Sequence, residues 1–254
     1  MGILSAKIKF KIKVIFFEFN SINYCFIHIP KTAGTSFQST IVKNELENKK
    51  HNLLLKNYME KLNCKHDHVP FSFLKNNFIK KNRLNEKIKY FTIIRNPWIR
   101  MASLFEQIVL RHKVGLKRKS INREIRNTYF RNYEYVTNNL LNDLGLFDND
   151  KIKQLFKFWL FYLGYNIKVL PNLNPNFNIL PQSWWLIDEQ TDDEVDKIFL
   201  FEDLQNLEQE FDLNLSHENK KQKYLNYRDY YDQETTDYIY NLDKYIINKF
   251  SYDF

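Results

Sequence analysis

Glycine and proline are scarce in this chain of 254 residues, with 5 and 6 copies, and cysteine occurs only twice. So little of either excludes collagen-like, low-complexity and linker-rich architectures. Cys25 and Cys64 do not have the spacing of a disulfide framework, and Cys25 sits in an apolar run where a buried thiol is expected. Long apolar stretches are missing too. Between Met1 and Phe19 lysines alternate with single apolar residues, and Val14–Phe17 is far too short for a signal core or a membrane span. The expectation is a cytoplasmic protein of a reducing compartment, with no signal peptide or integral membrane segment. The alternation from Lys7 to Lys13 suits an edge strand.

Aromatic residues, by contrast, make up 17% of the chain and hydrophobic residues 44%, enough for a substantial core, so a single domain over 1–254 is expected. The net charge of +8 favours polyanionic partners such as nucleotides, acidic glycans, nucleic acid or an anionic membrane surface. Charge does not choose among them, and a basic solvated surface explains it equally well.

Asn23–Ile29 is a short apolar run stopped by Pro30 and followed by small residues, as expected of a buried parallel strand entering a loop. Thr35 or Ser36 can cap a helix running to about Glu47. The pattern recurs at Tyr90–Ile94, where Asn96 can cap a helix whose first residue is Pro97. It appears again at Lys197–Phe201, ahead of a helix from about Asp203 to Phe211. Further helices are expected at Lys151–Leu163 and Gln233–Phe250, whose apolar stripes read as core. The polar, basic stretch 113–149 has weak periodicity and is expected to be an insertion or lid.

Two segments carry chemistry. Lys31, Thr32, Ala33, Gly34, Thr35 and Ser36 place a cation, small residues and hydroxyls between a strand and a helix N-terminus. Backbone N–H groups and the helix dipole there suit phosphate oxygens, Gly34 permits close approach, and Lys31 adds a movable charge. The Walker A order is absent, which disfavours ordinary ATPase or kinase chemistry. Taken alone the segment is also compatible with a capped turn. In the second segment, Arg95 ends a strand and can grip a phosphate bidentately, while Ser103 follows on a helix with Arg100 one turn earlier. An arginine at a strand end is about as often a structural ion pair.

Together and in this order, the Pro30–Ser36 loop and the segment from Arg95 to Ser103 resemble the sulfotransferases that use 3′-phosphoadenosine 5′-phosphosulfate (PAPS), specifically the membrane-type carbohydrate group and its bacterial relatives. The resemblance continues at Pro181–Leu186, Phe201–Leu204 and Tyr227–Tyr231. It implies an α/β, three-layer, P-loop-like fold, a central mainly parallel sheet flanked by helices. It also implies PAPS as donor and adenosine 3′,5′-bisphosphate as product. The loop would hold the 5′-phosphosulfate, Arg95 and Ser103 the 3′-phosphate, and Lys31 would stabilise the leaving group without a metal. Cys64, His66 and His68 fall between the two motifs, and the histidine pair is similar to that of uronyl 2-O-sulfotransferases. A neutral imidazole suits removal of a sugar hydroxyl proton, and His68 is the first choice with His66 second. A zinc site at Cys64, His66 and His68 lacks a fourth ligand. His28, among apolar residues, reads as a satisfied core histidine.

The acceptor implied is a carbohydrate, such as an acidic polysaccharide or a glycolipid, with neither nucleic acid nor an integral membrane segment involved. Arg100, Gln182 and Trp184 are expected on its side of the site, and a tryptophan offers a stacking face. Arg111, His112, Lys113, Lys117, Arg118, Lys119, Arg123 and Arg126 could grip an acidic glycan or simply form a solvated face. Two other classes compete: a P-loop nucleotide kinase, which needs the missing Walker order, and a non-catalytic polyanion binder, which needs no convergence of Lys31, His68 and Arg95.

Overall fold

The computed structural model describes residues 13–62, 68–84, 87–107, 180–215 and 226–254, together with 150–161 apart from positions 151, 155 and 158. The chain forms two compact units, Met1–Arg95 with Pro181–Lys220, and Asn96–Leu180 with Lys221–Phe254.

The first unit is built on a sheet of four strands, β1 (Ile15–Phe19), β2 (Ile22–Ile27), β3 (Ile88–Ile94) and β6 (Lys197–Leu200), in the order β1-β2-β3-β6. Asn20 and Ser21, both at positive φ, close the β1–β2 hairpin, so β1 is antiparallel while β2, β3 and β6 run parallel. Side chains alternate between the faces of a strand. Phe17, Phe26, Phe91, Ile93 and Phe199 therefore share one face, covered by Phe37 and Ile41 of α1 (Gly34–Lys43) and by Leu207 of the helix Leu204–Glu210. Phe16 points the other way, against His51 of α2 (Lys49–Lys61) and Phe78 of the helical turns Leu74–Ile79 that continue α3 (Phe71–Phe73). Helices thus cover both faces of a mainly parallel sheet, the α/β class. Cys25 is fully buried in it. A small hairpin of β4 (Ile187–Asp188) and β5 (Asp193–Glu194) completes the described part of the unit.

One expected helix start shifts here, and the edge strand expected at Lys7–Lys13 falls almost wholly outside the described residues. The helix after β2 opens at Gly34 rather than on a hydroxyl cap: its N-cap, Ala33, is left-handed with φ 67°, and no side chain caps it. Lys31 is left-handed as well, φ 74°, and this double reversal leaves Thr35 and Ser36 inside the first turn. The outer strand is β1 at 15–19; of the stretch Lys7–Lys13, only Lys13 lies among the described residues.

The second unit is helical. Asn96 accepts from the Ile99 N–H and Pro97 opens α4 (Pro97–Phe105), as the sequence indicates. The described residues among 150–161 are helical. The long helix expected over Gln233–Phe250 is two, Gln233–Leu242 and Lys244–Phe250, parted at Asp243. The break has a partner: Asp243, 1% exposed, pairs with the fully buried Arg100 guanidinium at 3.6 Å, and Arg100 also donates to the Leu180 carbonyl at 3.0 Å. Around this pair Trp98, Phe105, Phe156, Trp159, Tyr230 and Tyr231 form an aromatic core. The Tyr231 hydroxyl donates to the Trp98 carbonyl at 2.7 Å, and burial pushes its acidity far out of reach.

Candidate active site

β2 and β3 are parallel neighbours, so their carboxyl ends deliver the Pro30–Ser36 loop and Arg95 to the same end of the sheet. Open α/β sheets bind ligands there. Within the loop, the buried Thr32 hydroxyl donates back to the Ile29 carbonyl at 2.8 Å, which ties the turn to the strand end and leaves Thr32 to act through its backbone. Lys31, Ala33 and Thr35 are half-buried, while Gly34 and Ser36 are buried. α1 opens with no side-chain cap on its first N–H groups.

Gly34 has a further constraint. A Cβ placed there would lie 2.0 Å from His28 Cδ2. The His28 ring, 3% exposed, is thus seated directly beneath the loop. Its Nδ1 has no hydrogen-bond partner among the described residues, so it is a core histidine but not a satisfied one. Burial holds its pKa well below the usual value, helped by the positive potentials of His68, Lys13 and Lys31.

The half-buried His68 lies against this ring, centroids 4.6 Å apart. Its Nδ1 is 2.7 Å from the His28 carbonyl. A carbonyl only accepts, so Nδ1 carries the proton, and a neutral His68 has its lone pair on Nε2. That is the tautomer a general base at Nε2 needs.

Arg95, half-buried, donates from Nη1 to the Lys31 carbonyl at 3.3 Å, and its guanidinium stacks 4.1 Å from the centroid of Phe201. The arginine and the lysine loop therefore meet through a direct contact. Gln182 is fully buried. Its Oε1 accepts from the Arg95 N–H at 2.9 Å, and its Nε2 donates to the Arg95 carbonyl at 2.8 Å. Trp185, also fully buried, sets its ring edge-on to His68 with centroids 5.8 Å apart, and meets the half-buried Trp184 at 5.0 Å.

Lys31, Arg95 and His68, named from the sequence, are thus brought to one region of the first unit, together with the whole Thr32–Ser36 loop. Gln182, expected beside the acceptor, has both amide atoms engaged with Arg95. Arg100, expected there too, is buried in the second unit on Asp243, and Ser103 is half-buried on α4 of that unit. His66, Cys64 and the basic run 111–126 fall outside the described residues, as does 113–149. Residue patterns alone missed Phe201, Trp185 and the proximity of His28 to Gly34. The signal available was the order of the Pro181–Leu186 and Phe201–Leu204 segments, which marks them without saying what they touch.

A mainly parallel sheet flanked by helices, with the uncapped start of α1, a stacked arginine and an imidazole gathered at its strand ends, defines a protein of the α/β class. The model of the sulfotransferase family matches residues 13–249, nearly the entire chain, and the protein belongs to that family. It is a sulfotransferase. No curated protein matches the chain significantly, and no solved structure does so either.

Proposed function

We propose that this sulfotransferase moves a sulfuryl group from PAPS to a hydroxyl of a carbohydrate. The observation that carries the proposal is the gathering of Lys31, Arg95 and His68 at the carboxyl ends of β2 and β3, with the His68 tautomer fixed by the residue that precedes the loop. PAPS, when bound, supplies the activated sulfuryl group. The residues present fit it: the uncapped start of α1 suits a 5′-phosphate, and the planar Arg95 fork suits a 3′-phosphate.

In this reading His68 Nε2 takes the proton of the attacking hydroxyl as the new oxygen–sulfur bond forms. Lys31 Nζ neutralises charge on the phosphate oxygen as its bond to sulfur breaks. Group transfer of this kind has a loose, in-line transition state, so positioning and charge stabilisation dominate. An acidic polysaccharide fits the +8 charge of the chain.

The test is calorimetric titration with adenosine 3′,5′-bisphosphate and with ADP. The expected result is a preference for the bisphosphate of at least tenfold, since a bidentate arginine–phosphate contact contributes roughly 1.5–3 kcal/mol, and its loss in Arg95→Ala. Equal binding of the two nucleotides would return the chain to kinase or polyanion-binder chemistry.

A further inference from the structure

We infer that the segment Pro181–Leu186 is a brace that positions Arg95 and His68 together, with Gln182 and Trp185 as positioning residues. The inference rests on the sulfuryl-transfer reading above and adds to it what holds the two sides of the site in register.

The β3–β6 ladder ends at the pair Ile94 and Leu200, so Arg95 is the first residue after β3. Peptide groups at such a point call for hydrogen-bond partners of their own. The Gln182 amide makes both bonds at 2.9 and 2.8 Å, doing for one residue what a neighbouring strand does for many. Both peptides flanking Arg95 are thereby held, and from that backbone its guanidinium lies over the face of Phe201 and donates to the Lys31 carbonyl.

Three residues on, Trp185 touches His68. Two rings contact the imidazole, His28 at 4.6 Å and Trp185 at 5.8 Å, at interplanar angles of 59° and 69°. With Nδ1 held by the His28 carbonyl, these contacts limit the rotation of the ring and with it the direction of Nε2.

The two contacts sit on one turn of helix. The Trp185 N–H donates to the Gln182 carbonyl at 3.0 Å, the Trp184 N–H to the Pro181 carbonyl at 3.2 Å, and the Val195 N–H to the Leu186 carbonyl at 3.0 Å. Gln182 and Trp185 therefore move as a unit. Their effect passes through the arginine that reads the donor and the imidazole that activates the acceptor.

The experiment uses the full chain labelled with 15N-histidine, with bisphosphate and ADP titrations run beside long-range 1H–15N spectra of the imidazoles. Gln182→Met keeps the volume and loses both bonds. It is expected to lower bisphosphate affinity by about tenfold and leave ADP affinity nearly unchanged. Gln182→Glu keeps the acceptor and loses the donor, so an intermediate loss is expected; it also serves if the methionine variant does not fold. Trp185→Phe is expected to change bisphosphate affinity little and to convert the single Nδ1–H form of His68 into a mixture of tautomers. Unchanged nucleotide preference in both Gln182 variants, or an unchanged His68 spectrum in Trp185→Phe, would overturn the brace while the parent chain still prefers the bisphosphate. A parent chain without that preference would remove the sulfuryl-transfer reading and the brace with it.

Discussion

His28 and Gly34 share a space too small for both a ring and a methyl group. The Cβ of Gly34→Ala would meet the buried imidazole at 2.0 Å, and relieving such an overlap in a packed interior costs about 1–3 kcal/mol. Removing the ring reverses the sign of the problem. The double variant His28→Ala, Gly34→Ala should recover part of the stability lost by Gly34→Ala in urea unfolding, and a simple sum of the two single losses would contradict the contact. His28 also sets a pH dependence. Its folded pKa is depressed by burial, then by the neighbouring positive potentials, below the unfolded value of about 6.5. The unfolded chain therefore binds a proton that the native chain does not. The contribution is complete above that unfolded value and declines as pH falls below it. In His28→Asn, urea midpoints should accordingly fall less steeply than in the parent as pH is lowered from neutral.

The helix Gln233–Leu242 opens on a reciprocal cap. Asp232 accepts from the Thr235 N–H at 2.8 Å while Thr235 Oγ1 accepts from the Asp232 N–H at 2.9 Å. Burial raises the Asp232 pKa, but the Lys157 ammonium and the Thr235 bonds outweigh it and hold the carboxyl at about 2. A carboxylate depressed in the folded state stabilises above its unfolded pKa of about 3.9, and the contribution is lost as pH falls through the folded value. Asp232→Ala should cost about 1 kcal/mol at neutral pH, most of it from the cap because the Lys157 pair is part-exposed, and the difference should vanish near the folded pKa. Chemical denaturation across that acidic range checks it. Helix starts of this kind were legible where a side chain writes them: Asn96 before Pro97 marked α4 directly. The start of α1 was not, because left-handed Lys31 and Ala33 are non-glycine residues held by tertiary context, and no local preference signals them. The break at Asp243 was hidden for a similar reason, since its cause is the distant Arg100. Arg95 and Lys31 were legible as charged residues at strand ends. The amide contact of Gln182 was not, since it depends on where β6 stops pairing with β3.

The two units have cores of different kinds. The first is a phenylalanine-rich sheet core, while the second encloses an ion pair, Arg100 with Asp243, at 0% and 1% side-chain exposure. Breaking a buried pair by removing one partner costs about 3–5 kcal/mol because the other charge is left in a poor solvent, so Arg100→Met should destabilise the chain severely. Replacing both partners in Arg100→Met, Asp243→Leu should cost much less, as urea unfolding of the three proteins would reveal. The net charge of +8 belongs to the chain at large rather than to Lys31 and Arg95. Retention on a sulfated polysaccharide column should therefore persist in Lys31→Ala and Arg95→Ala, and should fall with added salt in all of them. Loss of retention equal to loss of nucleotide binding would mean that the polyanion and the donor occupy the same residues. On the opposite side of the sheet, Asn52 makes a bidentate amide contact like that of Gln182: it accepts from the Phe16 N–H at 2.8 Å and donates to the Phe16 carbonyl at 3.0 Å, while the Glu18 N–H goes to the Leu46 carbonyl at 3.1 Å. The outward-facing peptide groups of Phe16 and the Glu18 N–H are thus spoken for within the chain, and an edge whose backbone groups are already bonded offers a neighbouring strand little to pair with.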